Sequence, residues 1–472
     1  MRGTMFTGGD LRWWMLTILF LFCRLWSPSS PSLIAAAEER VVTHLPGFQG
    51  PLPFQLRTGY VEVDKHSGVR LFYYFTPSEG SPADDPVMLW LSGGPGCTSF
   101  TGLVYQNGPL SFDIDSYMGG LPRLLYRPET WTKVSNIIFL DSPVGAGFSY
   151  SVKEQGYNSS DTKAVNHILI FLKKWFDEHP EFLSNPLYIG GDSYAGMIVP
   201  TVTSEIAKGQ NSPINFACNI QGYLVGNPFT DFSNFDEPSK IPFAHRMGLI
   251  SDQMYKAYKK SCRAGGSTHQ NIQDISEFHV LEPNCAYASP HQYNVLKLKT
   301  SSGVQKMQQL LDSTTEGLHL SEISTQCRTM LYTLSRLWAN NVTVREALGI
   351  HKGTVPLWLR CNKGITYLKD IQSSVKYHLD VTTKGYRSLV YSGDHDMAVP
   401  YIGTQSWIRS LNFSVVDDWR PWYVDGQVAG YTTLYSNNLT FATVKGAGHT
   451  APEYMPRQCL AMLSRWLAGF PL

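Results

Sequence analysis

Short apolar runs recur through the first half of the chain, each ended by a polar or glycine-rich break. Tyr60-Val61-Glu62-Val63 and Leu71-Phe72-Tyr73-Tyr74-Phe75, joined across His66-Ser67-Gly68, read as two strands and a turn. Pro86 to Leu91, Asn136 to Leu140, Leu187 to Gly190 and Gly222 to Val225 are too short for helices and rich in β-favouring side chains. Continuous runs of that kind mark strands buried on both faces. Between them, Thr162 to His179 carries Ile168, Leu172 and Trp175 at helical spacing, and Pro180 ends the pattern. Strands alternating with helices predict a mostly parallel sheet covered on both faces, an α/β architecture. From about Phe229 to Asn340 the rhythm changes to polar helices and four-residue apolar fragments, with Gly265-Gly266 among them. This predicts an inserted helical cap at 229–340 between two core parts, 38–228 and 341–472. Strand rhythm returns at Ser388 to Ser392 and at Leu439 to Val444. A final helix presents Leu460, Leu463, Trp466 and Leu467 on one face.

The first 37 residues do not belong to that pattern. Arg2 and Arg12 precede an apolar run from Trp13 to Cys23, and Ala35-Ala36-Ala37 follows a polar, proline-containing stretch. Basic region, short apolar core and small-residue site are the order of a secretory signal. The run is shorter than the ~20 residues that span a bilayer, and no later stretch is longer, so no membrane span is expected after cleavage. If Cys23 leaves with the signal, seven cysteines remain: Cys97, Cys218, Cys262, Cys285, Cys327, Cys361 and Cys459. Secretion makes disulfides expected among them, and the odd number leaves a thiol unpaired. Asn158, Asn341, Asn412 and Asn438 head N-x-S/T sequons and are candidate glycosylation sites. No Cys-x-x-Cys occurs, so no metal centre is expected. A net charge of +1 points to neither a nucleic-acid partner nor an anionic membrane. With 13% aromatic and 16% charged residues in 472, the composition is that of a large packed domain.

The chemistry starts at Leu187-Tyr188-Ile189-Gly190-Gly191-Asp192-Ser193-Tyr194-Ala195-Gly196. A buried strand ends in glycines, then a serine, then small residues opening a helix, which describes a nucleophile elbow with Ser193 at its apex. The usual pattern is G-x-S-x-G, and Ala195 is its variant position. A serine hydroxyl needs a base, and the base needs an orienting acid. Ser392-Gly393-Asp394-His395-Asp396 and Gly446-Ala447-Gly448-His449 each follow a buried strand, so the order is Ser, Asp, His. Asp394 and Asp396 both qualify as the acid. Hydrolase loops that place it three residues after a glycine and run on into x-x-Val-Pro favour Asp396. An oxyanion hole requires two pre-aimed donors. The amide of Tyr194 is one, and Gly93-Gly94-Pro95-Gly96 is the natural source of the other. Neither a Rossmann G-x-G-x-x-G nor a Gly-Lys-Ser/Thr is present, and no cofactor is expected.

Trp90-Leu91-Ser92-Gly93-Gly94-Pro95-Gly96-Cys97, Gly191-Asp192-Ser193-Tyr194-Ala195-Gly196, Tyr391-Ser392-Gly393-Asp394-His395-Asp396 and Gly448-His449-Thr450-Ala451-Pro452-Glu453-Tyr454 together resemble the serine carboxypeptidase family, from about Leu45 onward. The resemblance implies an α/β-hydrolase fold, with Ser193 as nucleophile, Asp396 as acid, His449 as base and the Gly94 and Tyr194 amides as oxyanion hole. It puts Trp90, Ser92, Gly93, Gln106 and Asp192 at substrate-binding positions. It also implies a secreted or vacuolar glycoprotein with a Cys97–Cys361 bridge. Cys285–Cys327 is the expected bridge within the cap, where the stretch after Cys262 is short and holds no partner for it.

Family peptidases grip a substrate's terminal carboxylate with Asn and two Glu, at the positions of Ser92, Gln106 and Asp192 here. Two carboxyls that share a proton can bind an anion; a serine, an amide and a shorter acid are a weaker clamp. Ser-Gly-Gly, Gly-Asp-Ser-Tyr and Asp417-Asp418-Trp419-Arg420-Pro421-Trp422 look instead like the plant carboxypeptidase-like acyltransferases. The resemblance therefore implies transfer of an acyl group from a 1-O-glucose ester to an alcohol or amine. The alternative is proteolysis from peptide C-termini. Gln106 departs from both branches, where Glu is the rule.

Overall fold

The computed structural model describes residues 39–209, 218–261, 275–284 and 328–472. The expected signal segment, Cys262, Cys285 and Cys327 lie outside the described residues. A twelve-stranded sheet runs through the body. In chain order its strands are β1 (Arg40–Val41), β2 (Arg57–Asp64), β3 (Val69–Thr76), β4 (Val87–Leu91), β5 (Asn136–Leu140), β6 (Tyr150–Ser151), β7 (Pro186–Asp192), β8 (Asn219–Gly226), β9 (Arg387–Gly393), β10 (Val415–Val424), β11 (Gln427–Tyr435) and β12 (Leu439–Val444). Across the sheet the order is β1-β2-β3-β5-β4-β7-β8-β9-β12-β11-β10, with β6 paired to β3.

The six strands from β5 to β12 in that order are parallel. Every other pairing in this sheet is antiparallel. The sheet is therefore mixed, and the expected parallel arrangement holds for its centre only. The cause lies in the connections: β2 to β3 and β10 to β11 are joined by short turns, which admit only antiparallel neighbours. Asp425-Gly426, both at positive φ (51° and 72°), forms the second of these turns.

Alternation within the central strands builds a core on each face. Val87, Leu89 and Leu91 of β4 join Leu187 and Ile189 of β7 on one side. Met88, Trp90 and Tyr188 point to the other. The first face is covered by α1 (Asp161–Glu178) and α2 (Ala195–Ile206). α1 starts where Ser160 caps it, its hydroxyl accepting from the Lys163 amide at 3.2 Å, and buries Ile168, Leu172 and Trp175 as their spacing predicts.

Between β8 and β9 the chain forms α3 (Glu237–Arg246), α4 (Asp252–Ser261), α5 (Arg328–Ala339), α6 (Val342–Ala347) and α7 (Val375–Thr383). After β9 come α8 (Tyr401–Ser410), then α9 (Ala451–Tyr454) and α10 (Pro456–Leu467) behind β12. The buried face of α10 is Cys459, Met462, Leu463 and Trp466, whereas Leu460 and Leu467 only flank it. The i, i+3, i+4, i+7 stripe is thus turned by one position from the one expected, because Cys459 packs as a small apolar side chain. No helix among the described residues is long and apolar enough to cross a membrane.

Candidate active site

Four neighbouring parallel strands, β7, β8, β9 and β12, deliver the site from their C-terminal ends. Ser193 follows β7 at φ 57°, a left-handed conformation that a non-glycine residue holds only where its surroundings enforce it. The turn is close: a Cβ on Gly191 would lie 2.7 Å from the Ala195 Cβ and 2.6 Å from the Leu91 carbonyl oxygen. Ala195 is tolerated at its variant position because Gly191 has no side chain facing it.

Ser193 Oγ lies 2.8 Å from His449 Nε2, and His449 Nδ1 lies 2.8 Å from Asp396 Oδ2. With Nδ1–H donating to the carboxylate, Nε2 is left to accept the serine proton. Asp396 is completely buried and also accepts from the Ala398 amide (2.8 Å), the Val399 amide (3.2 Å) and Asn227 Nδ2 (2.7 Å). Asn227, at the end of β8, also accepts from the Gly393 amide at 3.1 Å, fixing the acid loop. Sequence reasoning missed Asn227; the Gly226-Asn227-Pro228 break after a buried strand is its only signal.

Asp394 points elsewhere. Its Oδ1 accepts from the Gly446 amide at 2.7 Å and lies 2.6 Å from His395 Nδ1. His395 stacks on His279, so neither Asp394 nor His395 joins the Ser193–His449–Asp396 chain.

Burial disfavours the imidazolium of His449. The Asp396 charge and hydrogen bond, with Asp192 and Glu277 beyond, outweigh it and raise the pKa above the ordinary histidine value. A second element reaches over this pair. The Phe278 carbonyl accepts the His449 amide at 2.7 Å, and the Glu277 carbonyl accepts the Met397 and Ala398 amides at 2.8 and 2.9 Å. The Phe278 ring sits 5.2 Å from the His449 ring. Nothing in the polar stretch around Glu277 marked it for this position.

Gly93 presses on the elbow: a Cβ there would come within 2.6 Å of both the Ser193 Cβ and the Tyr194 nitrogen. Gly94 follows at φ 118°. Within the described residues no acceptor takes the amide of Gly94 or of Tyr194. Cys97 is disulfide-bonded to Cys361, tying this glycine loop to the chain after α6.

Beside the elbow runs a buried polar chain. Trp90 Nε1 donates to Gln106 Oε1 at 3.2 Å, and Gln106 Nε2 donates to Asp192 Oδ2 at 2.7 Å. Burial pushes the Asp192 carboxyl up to about 6, against the pull of His449 and Gln106. Asp192 Oδ1 and Ser92 Oγ are buried without a partner. Nearby, Glu453 is buried and accepts from Tyr332 (3.0 Å) and Thr450 (2.7 Å), while Arg328 pairs with Glu282 at 2.9 Å and stands 3.6 Å from Glu453. These contacts tie Glu453 of α9 to Tyr332 and Arg328 of α5. Among the described residues, no group of three or more His, Cys, Asp or Glu could hold a metal ion. Of the sequons, Asn158, Asn412 and Asn438 are exposed, and Asn341 caps α6, accepting from the Thr343 amide at 2.9 Å.

A family model described as serine carboxypeptidase matches residues 46–469. Serine carboxypeptidase-like 17 of Arabidopsis thaliana is 48% identical over 436 residues, covering 91% of this chain and 93% of that protein. Serine carboxypeptidase-like 2 of the same plant is 47% identical over 438 residues, covering 92% and 93%. Among solved structures, a prohormone-processing carboxypeptidase of Saccharomyces cerevisiae superposes with a TM-score of 0.67 at 19% identity, over 91% of this chain and 94% of the other, and shares the fold. The α/β-hydrolase architecture and the extent of the match agree, and the chain belongs to the serine carboxypeptidase family.

Proposed function

We propose that the protein is an acyl-serine enzyme that moves an acyl group from a 1-O-glucose ester to an alcohol or amine. Ser193 Oγ attacks the ester carbonyl while His449 Nε2 takes its proton and Asp396 holds the imidazole. The oxyanion is received by the Gly94 and Tyr194 amides. Collapse expels the glucose hydroxyl, which regains its proton from His449. An acceptor then surrenders a proton to His449, attacks the acyl-serine and releases Ser193. The Ser193–His449–Asp396 distances support the acyl-serine chemistry.

The choice of transfer over proteolysis rests on one observation, the weakened carboxylate clamp: Ser92 and Asp192 stand where family peptidases carry Asn and Glu, and Gln106 donates to Asp192, so this pair of side chains shares no proton. Proteolysis from peptide C-termini is the second reading. It is favoured by the raised pKa of Asp192, which would let the unpartnered Oδ1 donate to a carboxylate once the solution is more acidic than about 6. Incubating the protein with a panel of glucose esters plus alcohols, and separately with blocked dipeptides, tests the two. We expect transfer from a glucose ester and poor dipeptide hydrolysis. Efficient hydrolysis without transfer from any ester would reverse the reading.

We further propose passage through the secretory pathway to the vacuole or the cell exterior, with signal removal after about residue 37 and glycans on the exposed sequons. The stretch 229–340 acts as a cap over the site, supported by the hydrogen bonds from 277–280 to the His449 and Asp396 loops.

A further inference from the structure

Asp161, the first residue of α1, is completely buried. Its Oδ1 accepts two tyrosine hydroxyls, Tyr194 at 2.8 Å and Tyr367 at 2.9 Å, and its Oδ2 accepts the Ile371 amide at 2.9 Å. A carboxylate that accepts from three donors is held in one orientation. Tyr194 is the residue directly after Ser193. Its amide and its ring are anchored by the same residue's backbone, so a ring held at its far end limits how that backbone can turn.

Tyr367 and Ile371 belong to a strap, 360–371, that also holds the other oxyanion loop. Cys361 is bonded to Cys97, the Asn362 amide donates to the Gly96 carbonyl at 2.9 Å, and the Thr98 amide donates to the Arg360 carbonyl at 2.8 Å. Further along, Tyr367 and Leu368 pair in parallel with Ser159 and Ser160, immediately before Asp161. One end of the strap thus fixes the Gly94 loop and the other fixes Tyr194 through Asp161. A small cavity is bordered by Gly93, Pro95, Tyr194, Ala195 and Tyr367, residues of both loops and of the strap.

We infer that Asp161 is a positioning residue for the oxyanion hole, aiming the Tyr194 amide through the Tyr194 hydroxyl, and that the strap 360–371 sets the spacing between this donor and Gly94. The inference rests on the acyl-serine reading. If the contacts served stability alone, loosening them would lower melting temperature without a selective effect on the step that builds the oxyanion.

The test uses Tyr194→Phe and Tyr367→Phe in the full chain, with Tyr117→Phe, a partly buried tyrosine whose hydroxyl donates to the Gly120 carbonyl, as control. A fluorophosphonate reacts by forming the Ser193 Oγ–P bond and expelling fluoride, with the serine proton passing to His449 and the P=O oxygen lying in the hole. Loss of one whole donor costs about 10²–10³-fold, and misaiming should cost a fraction of it. We expect about tenfold slower phosphonylation for Tyr194→Phe and a several-fold loss for Tyr367→Phe. For a p-nitrophenyl ester, kcat should fall with them while KM and melting temperature stay near those of wild type. Both variants reacting at the wild-type rate, or losing rate only in proportion to melting temperature, would overturn the inference alone. A wild-type protein that the reagent leaves unlabelled at Ser193 would overturn the acyl-serine reading and this inference with it.

Discussion

Asn227 Nδ2 donates to the same Asp396 oxygen that faces His449 Nδ1, at 2.7 Å and 2.8 Å. The shared oxygen makes Asn227 the steadying partner of the acid, and it leads to a graded prediction. A hydrogen bond to a charged group contributes about 1.5–3 kcal/mol, so Asn227→Ala should lower kcat by roughly one to two decades. Asp396→Asn should be more severe, since it removes the orientation of the imidazole. Asp394→Asn should be mild, because Asp394 bonds Gly446 and His395 instead. Steady-state kinetics on the three variants checks the ranking, and a worse defect in Asp394→Asn than in Asp396→Asn would contradict it.

In the proposed mechanism the base works only as the neutral imidazole. Burial opposes charge on His449, but Asp396 prevails and its pKa is raised. kcat/KM should therefore climb with pH, its acidic limb centred above the ~6.5 of an unperturbed histidine. Asp396→Asn removes the dominant favourable charge and should move the remaining activity's inflection to lower pH. A pH–rate profile of both proteins tests this; an unchanged inflection would assign the limb to another group.

Restoring the clamp should redirect the site. In Gln106→Glu the new carboxyl would face Asp192 where an amide now donates at 2.7 Å, and two such acids can retain one proton between them. Ser92→Asn, Gln106→Glu and Asp192→Glu together should raise kcat/KM for a blocked dipeptide relative to a glucose ester. The gain should be about one or two decades per restored contact at most, and greatest at acidic pH. A triple variant with an unchanged preference would remove these residues from the account of specificity.

The Cys97–Cys361 bridge should be found by mass mapping of non-reduced peptides, and Cys285–Cys327 is expected beside it. Removing the first should cost about 2–5 kcal/mol of stability. Cys218 and Cys459 are unpaired, and burial pushes both thiols up, Cys218 to about 11. Both should resist alkylation in the native state. Rapid native labelling of Cys459 would contradict its burial.

What the sequence made legible follows from where the information is stored. The elbow, the glycine loop and the His449 loop are local: a few consecutive residues impose each backbone path, and strand periodicity supplies the rest. Asn227 is different, because its role depends on β8 lying between β7 and β9, which no run of consecutive residues encodes. The contact of Phe278 with His449 likewise joins distant segments. The β10–β11 hairpin was missed because Val415, Val416, Trp419, Tyr423 and Tyr431 are exposed among charged neighbours and blur the alternation, although Asp425-Gly426 marked its turn. Asp192 was legible as an identity, but its raised pKa came only with its burial.

Ser193, Asn227, Asp396 and His449 stand on four strands that are neighbours in the sheet, yet the chain leaves between the second and the third to form everything from Gly226 to Arg387. Closing an excursion grows dearer only slowly with its length, by about 0.6 kcal/mol per doubling. The pairing of β8 with β9 is therefore nearly indifferent to the length of the excursion. Changes of length in the excursion, made away from Asn227 and from the 277–280 and 360–371 contacts that brace the site, should leave the four groups at the same spacing.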